Sequence, residues 1–135
     1  MKNVIIALVL SIVAAQAGLK KLDAISMIES GDNDRAIGGA GEVSRYQIKP
    51  VVWELYSDST AYQNPRLSAK VAEQYLATLE AAFQKRTGRV PTDFDSYVLW
   101  NGGLAYYAQR GFSADRVSAK VRDRAQRYAN LRMMR

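Results

Sequence analysis

The chain has 135 residues, 48% of them hydrophobic, with a net charge of +6 and neither cysteine nor histidine. That length fits one compact domain with a real core. The two absences exclude Ser-His-Asp and Cys-His nucleophile systems, the usual zinc sites and a lipid-carrying cysteine. No Gly-rich phosphate loop occurs, so any proton chemistry falls to Asp, Glu, Tyr or Lys, with no metal and no cofactor expected.

In chain order, Met1-Lys2 gives a short positive start, and Val4 to Ala15 is an apolar run broken by Ser11. Ala15-Gln16-Ala17 then matches the small-x-small pattern of a signal-peptidase site. A run of about a dozen residues is short of the roughly 20 that span a bilayer. Residues 1–17 are therefore expected to be a signal peptide cleaved after Ala17, with an uncleaved anchor as the alternative. The domain would occupy 18–135, exported to the periplasm or beyond, without stable membrane insertion after cleavage. Removing Lys2 and no acid leaves the remainder cationic, which suits an anionic polymer. The basic residues are scattered along the helices rather than gathered on one stripe, so nucleic acid is not the expected partner.

The remaining pattern is helical. Leu22, Ile25 and Ile28 mark one face of a helix over 20–30 that Gly31 would end. Residues 31–47 are rich in Gly, Asp and Asn and predict a loop, with a short hairpin near Glu42 to Ile48. Pro50 can open a second helix carrying Val51, Val52 and Leu55. Asn64-Pro65 makes an N-cap and N1 pair for a helix with Leu67, Val71, Tyr75, Leu79 and Phe83 at spacings of four, ending near Gly88. Thr92 would cap a helix with Phe94, Tyr97 and Val98, interrupted at Asn101-Gly102-Gly103. Ser113 would cap the last, with Val117, Val121, Tyr128 and Leu131 on one stripe. The expected class is mainly α, a single domain.

Glu29 stands against this regularity. It falls in the last turn of its helix, where the carbonyl-rich end disfavours an anion by up to about 1 kcal/mol. That field, and burial beside Ile25 and Ile28, favour the protonated carboxyl, as a general acid near neutral pH requires. An exposed glutamate at a frayed helix end is the plainer alternative.

Glu29-Ser30-Gly31, Asn33, Ala36, Gly41 and Tyr46-Gln47-Ile48 together resemble the lytic transglycosylases of the soluble (SLT) type, which share a fold with goose-type lysozyme. The family pattern runs Glu-Ser, Asn, Ala, Gly, then Gly-Leu-Met-Gln, and Gln47 keeps its spacing from Glu29. Leu99-Trp100-Asn101-Gly102-Gly103 looks like the family's Ala-Tyr-Asn-Ala-Gly, and Arg127-Tyr128-Ala129 like its C-terminal Tyr motif. The blocks occur in the family's order from Glu29 to Tyr128.

The resemblance implies a lysozyme-like α domain, a monomer, acting on peptidoglycan glycan strands. Glu29 would be acid and then base in cleaving the bond between N-acetylmuramic acid and N-acetylglucosamine, leaving a 1,6-anhydro product. Tyr128 would place its hydroxyl near Glu29, and Ser30 would support the site. Gln47, Trp100 and Asn101 would meet substrate, with Tyr46 as a sugar-stacking wall or a core residue. The chain departs from the pattern at Ser44-Arg45-Tyr46, where Arg45 could meet a carboxylate of the substrate. Glu42 replaces a small residue. It is either a solvated loop charge or a second carboxylate, which would make the enzyme a hydrolase of lysozyme type. A non-catalytic wall-binding protein of the same fold is the reading from another class.

Overall fold

The computed structural model describes residues 18–134 as a mainly helical domain. The expected leader and its cleavage site lie outside the described residues. Six helices follow in order: α1 (Lys21–Ser30), α2 (Pro50–Trp53), α3 (Pro65–Thr87), α4 (Asp93–Gly102), α5 (Leu104–Gln109) and α6 (Ala119–Met133).

The centre of the molecule is α4, in which Asp95, Ser96, Tyr97, Val98, Leu99 and Trp100 are all buried. A helix apolar around its circumference must be wrapped by others, and α6, α3, α5 and the loop before α2 do this. A capping box starts α4: Thr92 Oγ1 accepts from Asp95 N at 3.1 Å, and Asp95 Oδ2 accepts from Thr92 N at 2.9 Å. Asp95 also takes the Tyr107 hydroxyl at 2.5 Å and Arg89 Nη1 at 2.6 Å. Burial alone would raise its proton affinity, but those donors together hold the carboxyl below its usual range.

The helix α3 keeps its predicted start, with Asn64 Oδ1 accepting from Leu67 N at 3.0 Å, and its predicted end at Gly88. Gly31 ends α1 with φ +62, and its N–H and that of Asp32 return to Met27 and Ser26. The bond from Gly31 to Met27 is that of an αL C-cap, for which a residue without Cβ suits the left-handed position.

The loop between α1 and α2 contains two antiparallel bridges, Ile37 with Val43 and Val43 with Ile48. Val43 and Ile48 exchange both backbone bonds, at 2.8 and 2.9 Å, so the expected short hairpin is present. Ser44 and Gln47 both have positive φ, at 68° and 52°, which turns the chain tightly between them.

Three expectations are corrected. α2 is a single turn, and its buried residue is Trp53, whereas Val51 and Leu55 are 68% and 74% exposed. After Gly103 the chain re-enters a helix, α5, for which the Gly-Gly break gave no signal. The last helix is capped by Ser118, whose Oγ accepts from Val121 N at 3.3 Å, and Ser113 only opens a short 3-10 turn over Ala114–Arg116. Val117 is buried all the same, so the apolar stripe runs across the break and concealed it.

The chain near residue 18 is tied to the end of α6. Leu19 N donates to Leu131 O at 3.0 Å, and Arg132 Nη1 donates to Leu19 O at 2.6 Å. Among the described residues no helix is long and apolar enough to cross a membrane.

Candidate functional site

An open cleft of about 540 Å³ runs between the end of α1, the hairpin loop, the end of α4 and the start of α6. Glu29, Glu42, Gln47, Trp100 and Asn101 all line it, so residues far apart in sequence meet as the spacing of the motifs implied.

Glu29 is half-buried in the last turn of α1, which carries no basic residue to offset it. The Tyr97 hydroxyl donates to its Oε1 at 2.6 Å. Burial raises the Glu29 pKa above the ordinary 4.5. The Tyr97 bond, the positive charge of Arg124 and the Asn101 amide pull it back, while the charge of Glu42 pushes it up. Desolvation is the largest of these effects, so the carboxyl holds its proton to higher pH than an exposed glutamate. Tyr97 itself is pushed far above the usual phenol range, first by burial and then by the charge of Glu29, so it acts as a hydrogen-bond donor and not as a base.

Tyr128 does not reach Glu29. Its hydroxyl is buried without a hydrogen-bond partner among the described residues, and its ring packs on that of Tyr97 with centroids 5.5 Å apart. The phenol expected of α6 is therefore supplied by α4. The signal available was chemical: a tyrosine on a buried stripe needs a partner for its hydroxyl, and Glu29 was the acceptor without one.

Tyr46 is not a cleft wall. It is 5% exposed and borders a separate groove between α1 and α3. Arg45 does not face the cleft either: its Nε and Nη2 hold Asp34 at 2.7 and 2.9 Å, a bidentate pair that closes the loop on itself. Ser30 supports that loop, its Oγ donating to Arg45 O at 2.7 Å and accepting from Asn33 N at 3.0 Å.

Gln47 spends its amide N–H groups on Ser44 O and Ala36 O, at 2.9 and 3.2 Å, which leaves Oε1 toward Gly38. Glu42 accepts from Ala40 N at 3.0 Å and also crowds Gly38. A Cβ at Gly38 would come within 2.3 Å of Glu42 Oε2 and 2.5 Å of Gln47 Oε1, so glycine there is what lets both side chains stand in the cleft. Trp100 donates its indole N–H to Tyr46 O at 3.2 Å, and its ring meets that of Tyr75 at 5.0 Å. Tyr75 lines the cleft as well, although its place on the spacing-of-four stripe of α3 marked it only as core.

Three cationic residues that the motifs did not single out complete the lining: Lys49, Lys120 and Arg124. Among the described residues no three carboxylates converge on a point where they could hold a metal ion. The arrangement can donate and recover a proton at Glu29, in a cleft open to solvent. Comparison of the chain with models of protein families, with curated proteins and with solved structures yields no match.

Proposed function

We propose that the protein is a peptidoglycan lytic transglycosylase with a lysozyme-like fold, acting outside the cytoplasmic membrane on the bond between N-acetylmuramic acid and N-acetylglucosamine. One observation carries the reading: Glu29, whose proton affinity is raised chiefly by burial, is held by Tyr97 at the wall of an open cleft. The order and spacing of the Glu29, Gln47 and Asn101 motifs support it.

In this mechanism the Glu29 carboxyl gives its proton to the glycosidic oxygen as the bond from that oxygen to C1 breaks. The positive charge developing at C1 is met by the substrate's own 2-acetamido oxygen. The carboxylate then takes the proton of the C6 hydroxyl while O6 bonds to C1 and displaces the acetamido oxygen, which closes the 1,6-anhydro ring and restores the neutral acetamido group. Glu29 ends protonated, as it began, and no water is consumed. A single carboxyl suffices because its proton affinity lies between those of the two states it must serve. Tyr97 keeps that carboxyl aimed in both. Gln47 Oε1 and Asn101 offer polar contacts to the sugar N-acetyl groups, and Tyr75 and the exposed edge of Trp100 offer apolar surface.

A second reading rests on Glu42. It stands in the same cleft, and its charge raises the proton affinity of Glu29. An inverting hydrolase uses such a partner, about 6.5–9.5 Å from the acid, to activate water. Products decide between the two: purified sacculi treated with the protein should release fragments with anhydro ends, whereas reducing ends would establish the hydrolase. Glu29→Gln should lower turnover by about 100-fold or more. Equal activity from that variant would overturn the mechanism, and no turnover by the native chain would favour a non-catalytic wall-binding protein.

A further inference from the structure

Two helices present to the cleft the charge that their own ends disfavour. Glu29 sits at the carbonyl end of α1, where a cation would be stabilising. Lys120 sits in the first turn of α6, which contains no acidic residue although exposed N–H groups there favour an anion. Arg124 lies one turn further on, at i+4, so the pair shares a helix face and repels. Both line the cleft, and Lys49, which follows the hairpin, faces it too.

Some of the other cations are paired, while others, such as Arg66 and Arg86, have no carboxylate within 4.0 Å among the described residues. Lys21, Arg45, Arg89, Arg127 and Arg132 each pair with a carboxylate. Lys49, Lys120 and Arg124 have no carboxylate within 4.0 Å among the described residues. Arg124 is half-buried, so its charge is less screened than that of a surface arginine. These three cations line one depression, and Lys120 among them is placed against its helix field, so an anionic group entering beside them would be stabilised.

We infer that Lys49, Lys120 and Arg124 form an anion subsite that grips a carboxylate carried by the glycan beside the bond that Glu29 cleaves. The inference rests on the glycan-cleaving reading and adds a selectivity to it: strands whose muramyl carboxylates are free are bound in preference to strands in which they are amidated or missing. It also reassigns to α6 and Lys49 the role that Arg45, locked on Asp34, cannot perform.

The test is equilibrium binding with the full chain carrying Glu29→Gln, so that nothing is consumed. Three soluble tetrasaccharides are titrated: alternating N-acetylglucosamine and N-acetylmuramic acid with free lactyl carboxylates, the same compound with those carboxylates amidated, and the neutral N-acetylglucosamine tetramer. The free acid should bind about tenfold more tightly than the amide, the sum of a few partly exposed charge pairs, and the gap should narrow in high salt. Adding Lys120→Gln and Arg124→Gln together should erase the gap and leave the affinity for the amide within about twofold. Lys49→Gln, an exposed single change, should narrow the gap by itself should the double variant fold poorly. Equal affinity for acid and amide in the parent overturns the subsite, and so does a double variant that loses both ligands alike. Failure of all three saccharides to bind defeats the glycan reading itself and takes the subsite with it.

Discussion

Two tyrosine rings meet at a tilt in the core, and among the described residues only one of them has a partner for its hydroxyl. Tyr97 donates a hydrogen bond to Glu29, while the Tyr128 hydroxyl is buried and has no partner among the described residues. Tyr97→Phe should lower turnover by roughly 10- to 100-fold, because an acid that loses its anchor leaves its productive geometry. The Tyr97 bond also pulls the Glu29 proton affinity down. Removing it should therefore move the alkaline limb of the pH-rate profile to higher pH, a shift that a purely structural defect would not produce. Tyr128→Phe should leave turnover unchanged and stability equal or up to about 1 kcal/mol higher, since it deletes a desolvated group that has no partner. Urea denaturation and pH-rate profiles of the two variants check both statements. Glu29, Gln47, Trp100 and Asn101 were legible as cleft residues because motif spacing reports which side chains the chain must bring together. Which of the two phenols reaches the acid is a matter of packing between α4 and α6, and both helices carry tyrosine on a similar stripe. Arg45 and Tyr46 were misplaced for a related reason: left-handed residues at Ser44 and Gln47 interrupt the alternation that a regular hairpin would impose.

Among the elements, α4 supplies most of what the site needs, since Tyr97, Trp100 and Asn101 all belong to it. Its start depends on Asp95, which closes the capping box and satisfies Arg89 and Tyr107. Asp95→Ala should cost about 3 kcal/mol, through loss of the cap and of hydrogen bonds to a charged acceptor, read as a lower urea midpoint. Because the folded state depresses the Asp95 pKa below the ordinary 3.8, its contribution is present above that pH and fades as acid protonates it in the fold. The helices with strong punctuation were readable in the sequence: Asn64-Pro65 and Thr92 both cap where expected. Ser113 and Ser118 are the counter-example. Each is a plausible cap, and the choice falls on Ser118 through contacts distant in sequence, where its N–H donates to the Tyr106 hydroxyl at 3.0 Å.

At the scale of the molecule, the site is maintained against the stability of the fold. Unfolded, Glu29 titrates near 4.5, and in the folded chain burial raises that value. The folded state thus holds an extra proton between the two values, and stability falls as pH rises through the folded one. The penalty for ionising Glu29 in the fold grows as pH rises between the two values. Glu29→Gln removes the charge and keeps an acceptor for Tyr97, so it should melt at a higher temperature than the native chain at pH 7. The gain should shrink as pH is lowered and disappear below about 4.5, where both side chains are neutral. Thermal melts across that range test it, and a gain independent of pH would assign the effect to packing instead.

The docking of α6 reaches beyond stability. That helix packs on α1 and α4, holds Arg124 against the acid and completes one side of the cleft. Glu29 is made early in the chain, but its surroundings are gathered from segments that end with the last helix. Until α6 closes, the chain carries an ordinary solvated glutamate and no depression in which to place a sugar. The proposed activity is thus an emergent property of the finished fold. On the proposed function, a chain in which α6 has not docked would have no cleft in which to cleave a glycan.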